Sequence, residues 1–280
     1  MSWKDLLAVV IDAEGDDAAI RLSEHLAGQF GASRAIALLT ALPDEPLAYE
    51  PTVVASVWAD MLTRARKAGE AERAKLAPRI DDAVGACELR QAEALARDLG
   101  RVAAVHARYA DVAIFTRPTA GDGGDVREDV IEGVLFHSGR PALLAPPDWR
   151  GSSIGKRPLI AWDASSEATR ALAAAAPLME SADSVLVVTV DAKPKAFGHG
   201  EQPGANIAAH LNRRGLKVDV RNLDSMGRPT GQTILDEARA VDADLLVMGA
   251  YGHSRLRELM FGGATRDLLR TASLPLLMAH

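Results

Sequence analysis

The feature that most constrains the fold is an internal repeat of apolar runs that end in aspartate. DLLAVVID occupies residues 5–12 and RPLIAWD occupies residues 157–163. Each run leads into a long segment with helical character and then into a further apolar run. Runs that are apolar throughout suit strands buried on both faces, as in a parallel sheet. The repeat therefore predicts two copies of a strand–helix–strand unit.

The repeat continues through the second part of each half. ADVAIFTR (110–117) matches ADLLVMGA (243–250), and GRPALLAP (139–146) matches SLPLLMAH (273–280). Strands that alternate with helices imply an α/β fold with right-handed crossovers. We therefore predict an α/β protein of two tandem, doubly wound domains, each with a mostly parallel sheet.

The boundary between the domains is expected where proline, glycine and serine accumulate, in residues 145–158. This places one domain at residues 1–147 and the other at 156–280. The first half is the longer one, and its extra residues are assigned to 45–78. Apolar positions recur there at four-residue spacing, which predicts an elongated helix.

Composition and charge exclude several classes of protein. The chain is 48% hydrophobic with a formal net charge of −6, so it can bury a core, and a general nucleic-acid or membrane-surface partner is not expected. Cys87 is the single cysteine, which excludes an intrachain disulfide. The apolar run Leu6–Ile11 is too short for a secretion signal or a membrane span. We expect a cytoplasmic protein.

Two pairs of glycines flank the stretch between a buried strand and a helix near residue 260. Gly249 and Gly252 follow the strand, and Gly262 and Gly263 precede the helix. Helix N-termini offer free N–H groups and a positive dipole end to phosphate, and Thr265 adds a hydroxyl in the first turn. A phosphate cradle is one interpretation. A strand end followed by a plain turn is the other.

Other sites of chemistry find little support in the sequence. A Walker loop and a nucleophile elbow are both missing, and the seven histidines show no metal-ligand spacing. We therefore predict no catalytic residue and no metal ligand. His253, directly after Gly252, either approaches a terminal phosphate or faces water.

The spacing Gly249-x2-Gly252-x9-Gly262 resembles the nucleotide-loop signature of the universal stress protein family, G-x2-G-x9-G-(S/T). The segments AWDASSEATRAL (161–172) and LPLLMA (274–279) also resemble that family, and the repeat is similar to its tandem bacterial members. The resemblance implies a Rossmann-like fold of the adenine nucleotide alpha hydrolase type. It further implies a five-stranded parallel sheet in each domain.

The resemblance also implies a site for ATP or another adenine nucleotide, with or without Mg, in the second half. Asp163 would contact the adenosine moiety, with the backbone of Ala161 and Trp162 nearby, while Thr189 and Val190 would line the adenine pocket. The ribose and phosphate side would be lined by Met248, Gly249, Gly252, Gly262, Gly263 and Ala264.

Two departures from the family pattern concern the phosphate. Gly263 stands where the family has serine or threonine, and Thr265 is the hydroxyl that can substitute for it. Aligned without gaps back from Pro141, the first half has Glu128 and Asp129 in place of the second glycine pair. Two carboxylates that face a phosphate repel it, so the first domain is expected to be a degenerate copy.

We predict a stress-response protein that binds nucleotide in its C-terminal domain and acts as a signalling or protective module, with at most slow ATP hydrolysis. The alternative is a nucleotide-free scaffold. The protein partners are unknown. The apolar strands at 139–146 and 273–280 are expected to pair, either within one chain as a pseudo-dimer or across a homodimer.

Overall fold

The strands and helices alternate along the chain in this computed structural model, which describes residues 2–44, 51–81, 85–119, 124–151, 153–194, 199–251 and 263–280. The strands in these residues are β1 (Asp5–Val10), β2 (Ser33–Leu42), β3 (Cys87–Leu95), β4 (Val112–Thr116), β5 (Ala142–Ala145), β6 (Pro158–Ala161), β7 (Val185–Val190), β8 (Val218–Leu223), β9 (Leu245–Gly249) and β10 (Leu276–Ala279). The helices are α1 (Asp17–Phe30), α2 (Pro51–Asp81), α3 (Leu99–Ala107), α4 (Gly124–His137), α5 (Ser166–Met179), α6 (Ala205–Asn212), α7 (Thr230–Ala240) and α8 (Gly263–Thr271).

The chain divides into two compact units, Trp3–Arg140 and Pro141–His280, the second of which also takes in Met1–Ser2. Strand order is β3-β2-β1-β4 in the first unit and β5-β10-β9-β6-β7-β8 in the second. The pairs β1–β2, β1–β4 and β2–β3 are parallel, as are β6–β7, β6–β9, β7–β8 and β9–β10. The predicted α/β class with a mostly parallel sheet is confirmed. The domain limits 1–147 and 156–280 stay a prediction.

Burial explains why the apolar runs become central strands. Leu6–Val10 of β1 and all five residues of β4 are buried, as are the first three residues of β6 and all of β9 before Gly249. A strand covered by helices on both faces needs apolar residues at every position. By contrast, β8 stands at the end of its sheet and has no buried residue.

Two aspartates in equivalent places of the repeat tie the central strands together at their starting ends. The Asp244 carboxylate accepts hydrogen bonds from the backbone N–H groups of Gly155, Lys156 and Arg157 at 2.8–3.1 Å. In the first unit, the Asp111 carboxylate accepts the N–H groups of Lys4 and Asp5 at 2.6 and 3.0 Å. The alanine–aspartate pair that opens 110–117 and 243–250 therefore joins β1 to β4 and β6 to β9.

The terminal strand of each sequence half pairs with the other inside the chain. β5 and β10 are antiparallel, with Leu144 opposite Leu276 and Leu143 opposite Leu277. The prediction that these two strands meet is confirmed, and the pairing is intrachain.

The long helix predicted in the first half is present as α2, Pro51–Asp81, while residues 45–50 lie outside the described part. Arg79 near its end donates to Asp17 at 2.6 Å and to Glu24 at 3.0 Å, both on α1. The helix is therefore fastened to the unit by ion pairs at its C-terminal end. Within the described residues, no helix combines the length and hydropathy that a bilayer crossing requires.

Candidate functional site

In the second unit the sheet changes winding direction between β6 and β9. From β6 the chain continues to β7 and β8 on one side, and the later strands β9 and β10 lie on the other. Ligands of open parallel sheets bind at this crevice, outside the carboxyl ends of the strands. Ala161 of β6 pairs with Met248 of β9. The structure thus brings Trp162, Asp163 and Gly249, which directly follow or end these strands, to one edge.

The loop between β6 and α5 is shaped by its own side chains. The exposed Asp163 accepts the N–H of Ser165 through Oδ1 at 3.0 Å, and Ala164 between them has a positive φ of 60°. Ser165 caps α5, because its Oγ accepts the N–H of Ala168 at 3.0 Å. The first turn of α5 thus begins directly after this loop and lies against Gly249 at the end of β9, and a helix N-terminus favours an anion.

Gly249 has a packing function in this structure. A Cβ built on it would lie 2.5 Å from the backbone nitrogen of Ala168 and 2.9 Å from the Cβ of Glu167. No side chain fits there, so glycine is needed for α5 to approach the end of β9. Its predicted role beside a ligand stays a prediction.

The residues predicted to line an adenine pocket lie at the end of β7. Thr189 is 1% exposed, and its Oγ1 lies 2.6 Å from Oδ1 of Asn222 on β8. Its hydroxyl is therefore engaged within the sheet. Val190, the last residue of β7, is half-buried at the carboxyl edge.

An open groove of about 190 Å³ lies beside the β6–α5 loop. Its lining residues come from that loop and from the segment around the start of α6, namely Trp162, Ala164, His199, Gly204, Asn206 and Ile207. Of these, the sequence singled out Trp162. Ala164 lies in the same loop as Trp162. His199, Gly204, Asn206 and Ile207 lie more than 30 residues further along the chain, and no sequence spacing connects them with Trp162. The groove is smaller than the roughly 300–1,000 Å³ of most ligand pockets.

The structure describes the two ends of the glycine stretch, up to residue 251 and from residue 263 onward. Gly263 and Ala264 begin α8, and Thr265 in its first turn is buried, with 5% of its surface exposed. Gly252, His253 and Gly262 lie in residues 252–262, outside the described residues. Their predicted roles stay predictions.

The equivalent crevice of the first unit, between β1 and β4, is filled by the chain itself. Asp16, 3% exposed, accepts the N–H groups of Ile11 and Asp12 at 2.8 and 3.0 Å. Arg127 of α4 donates to the same carboxylate through Nε at 3.0 Å. A cavity of about 10 Å³ remains beside this pair, which is room for one water molecule at most.

The prediction that Glu128 and Asp129 face a phosphate is wrong in its geometry. α4 begins at Gly124, so both residues lie within the helix, and Glu128 is buried at 6% exposure. The Arg127–Asp16 pair, rather than two facing carboxylates, closes the first crevice.

The side chain of Asp12 also forms hydrogen bonds with the local backbone. Its Oδ1 accepts the N–H groups of Gly15 and Glu14 at 2.7 and 2.8 Å. The hydrogen bond from Gly15 is the main reason that the pKa of this carboxyl falls below its usual value, with smaller contributions from Glu14, Arg127 and Lys75. In the described part of the chain, no cluster of three or more histidine, cysteine, aspartate or glutamate side chains could hold a metal ion.

Comparison with known proteins shows which family the second half resembles. The model of the universal stress protein family matches residues 156–280. This half of the chain is therefore similar to universal stress protein domains. A curated universal stress protein of Synechocystis sp. is 29% identical over 151 residues, which cover 52% of this chain and 49% of that protein. The chain thus spans about half the length of this curated relative.

Solved structures of universal stress proteins share the fold over the whole chain. One from Archaeoglobus fulgidus DSM 4304 has a TM-score of 0.68 at 17% identity and covers 100% of this chain and 96% of its own. A putative universal stress protein from Pseudomonas aeruginosa UCBPP-PA14 has a TM-score of 0.57 at 13% identity, with 99% and 92% covered. At these identities the likeness shows the universal stress protein fold alone.

Proposed function

We propose that residues 156–280 bind ATP or a related adenine nucleotide at the crevice between β6 and β9, and that the chain is a cytoplasmic stress-response module for signalling or protection. The observation that carries the proposal is the contrast between the two crevices. The groove at the end of β6 is open, in the half that matches the universal stress protein model. The corresponding place in the first half is filled by Asp16 and Arg127.

The groove suits the nucleoside part of such a ligand. Trp162 is one of its lining residues, and a base that stacks on an aromatic ring gains about 1–3 kcal/mol. The exposed carboxylate of Asp163 at the same loop can accept a hydrogen bond from a ribose hydroxyl. We therefore assign the adenosine moiety to this groove.

The phosphates are assigned to the glycine stretch that follows β9. α8 begins at Gly263, and its free N–H groups and positive dipole end favour a phosphate. Gly252, His253 and Gly262 belong to this assignment by the family resemblance. The proposal is for binding, with at most slow hydrolysis of ATP, and any Mg would accompany the phosphates.

A nucleotide-free scaffold is the second candidate, and a specific observation favours it. Gly249 is required by the contact with Ala168 and Glu167. That glycine would be kept even if no ligand bound.

Two measurements separate the candidates. Nucleotide released by heat from the purified protein is identified by absorbance and mass, and ATP is titrated calorimetrically into the wild type. The proposal expects an adenine nucleotide and one site per chain. A protein that carries no nucleotide and gives no heat with ATP is a scaffold.

The Asp163→Asn variant tests the residue assignment, with Asp12→Asn as its matched control. Asparagine keeps an oxygen that can accept the N–H of Ser165, so the loop is preserved while the charge is lost. A charged acceptor contributes about 1 kcal/mol more than a neutral one, so Asp163→Asn should weaken ATP binding about five- to tenfold. Asp12→Asn should leave the affinity unchanged. Equal losses from both variants would place a working site in the first half.

A further inference from the structure

We infer that the first half carries a built-in substitute for a ligand: the Asp16 carboxylate, held by backbone N–H groups and Arg127 in a loop that α2 fastens, occupies the crevice between β1 and β4. This half is therefore closed without any external molecule. The inference concerns the unit Trp3–Arg140 and does not depend on nucleotide binding by the second half.

The position of Asp16 in the chain is the first step. It immediately precedes α1, where an aspartate ordinarily accepts an N–H from the first turn of the helix. Here its side chain makes no such cap. The hydroxyl of Thr116 at the end of β4 accepts the N–H of Ala19 instead, at 3.1 Å. Because it does not cap α1, the Asp16 side chain can reach back to the backbone that follows β1.

The surroundings of the carboxylate are those of a bound anion. Two successive backbone N–H groups, of Ile11 and Asp12, point at Oδ2 at 2.8 and 3.0 Å. The Arg127 guanidinium donates through Nε to Oδ1 at 3.0 Å and through Nη2 to Oδ2 at 3.3 Å. Successive backbone amides and a forked guanidinium are the groups with which proteins hold carboxylates and phosphates.

The Asp16–Arg127 pair is largely buried, and the neighbouring backbone leaves room for it. The Asp16 and Arg127 side chains are 4% and 15% exposed. A Cβ on Gly15 would lie 2.7 Å from Nη2 of Arg127, so glycine at this position leaves room for the guanidinium.

The longer helix of the first half holds the same loop from another side. Glu72 of α2 accepts the N–H of Ala13 at 2.8 Å. Lys75, one turn further on, bridges Glu72 at 2.9 Å and Glu14 at 3.4 Å. The loop that follows β1 is therefore fastened by α2 and by α4, whereas the loop that follows β6 borders an open groove.

Chemical rescue tests the inference on the full-length chain. Asp16→Ala removes the internal anion but leaves Arg127 and the backbone N–H groups of Ile11 and Asp12. Inorganic phosphate at millimolar concentration should then raise the melting temperature of Asp16→Ala by several degrees more than that of the wild type. The double variant Asp16→Ala/Arg127→Gln should lose this response, because the guanidinium is gone.

Hydrogen exchange gives a second readout if Asp16→Ala fails to fold. Arg127→Gln should lower the melting temperature by about 5–10 °C, because it leaves the buried Asp16 carboxylate without its ion-pair partner. It should also speed exchange of the Ile11 and Asp12 amides about tenfold. Arg228→Gln, which breaks the exposed pair with Asp236, is the control and should change neither quantity.

Wild-type melting and exchange in Arg127→Gln would overturn the inference, as would a phosphate response that is equal in the wild type and in Asp16→Ala. A chain that binds no ATP would refute the function proposed for the second half and would leave these results unaffected. The two failures are therefore distinguishable.

Discussion

The last residue of β9 and the first turn of α5 meet backbone to backbone: a Cβ on Gly249 would lie 2.5 Å from the nitrogen of Ala168. Gly249→Ala must push the helix and the strand apart. We expect it to lower the free energy of unfolding by about 1–3 kcal/mol. Thermal unfolding without added nucleotide measures this.

The control for that substitution is Gly28→Ala. Gly28 is exposed on α1, and nothing lies within 4 Å of a Cβ built there. Alanine in a helix interior should stabilise the protein by about 0.5–1 kcal/mol. A Gly249→Ala variant that melts like the wild type would contradict the packing explanation.

Ser165→Ala should destabilise α5, because it removes the acceptor for the N–H of Ala168. The expected loss is about 1 kcal/mol in the free energy of unfolding. The neighbouring Ser166 bonds the Glu167 carboxylate at the surface, so Ser166→Ala should stay within about 0.5 kcal/mol of the wild type. Equal effects in denaturant titrations of the two variants would argue against the cap.

Asp12→Asn should change how stability depends on pH. The pKa of Asp12 in the folded protein lies below its ordinary value of 3.8, chiefly because of the hydrogen bond from Gly15. The charged carboxyl therefore stabilises the fold fully above the unfolded pKa, and this contribution is lost as pH falls through the folded pKa. The melting-temperature advantage of the wild type should persist at about pH 6 and shrink below about pH 4. A difference that stays constant across this range would refute the assignment.

Asp244→Ala should destabilise the start of β6, because three backbone N–H groups lose their common acceptor. We expect a loss of about 1–3 kcal/mol. Asp219 on the exposed strand β8 supplies a control, and Asp219→Ala should change the unfolding free energy by less than about 0.5 kcal/mol. Chemical denaturation of both variants decides the point.

The sequence predicts best those strands and helices whose residues share one environment along their whole length. β1 and β4 are apolar throughout because both faces are covered, and that pattern is visible without a structure. The four-residue spacing of apolar residues also predicted the helix α2, but Val57 and Met61 at that spacing are exposed, so the spacing did not mark a buried face. β8 gave no such signal, because its residues are mostly exposed at the end of the sheet.

The content of the crevices could not be predicted because it depends on residues that are distant in sequence. Asp16 and Arg127 meet across 111 positions, and neither stands out locally from an ordinary surface charge. The requirement for glycine at position 249 likewise depends on where Ala168 lies. Spacing within a loop carries no information about such contacts between distant residues, and so it did not show that Glu128 is buried within α4.

The antiparallel pair of β5 and β10 has a consequence for synthesis on the ribosome. Leu144 leaves the ribosome more than 130 residues before Leu276, the residue that it faces. At about 5–20 residues per second, this delay is roughly 7–26 s. During that time the edge of β5 that β10 later occupies is unpaired, and the four apolar residues Ala142–Ala145 are open to pairing with another nascent chain. The time between the synthesis of β5 and that of β10 is thus an interval in which slower translation prolongs the exposure of this strand edge.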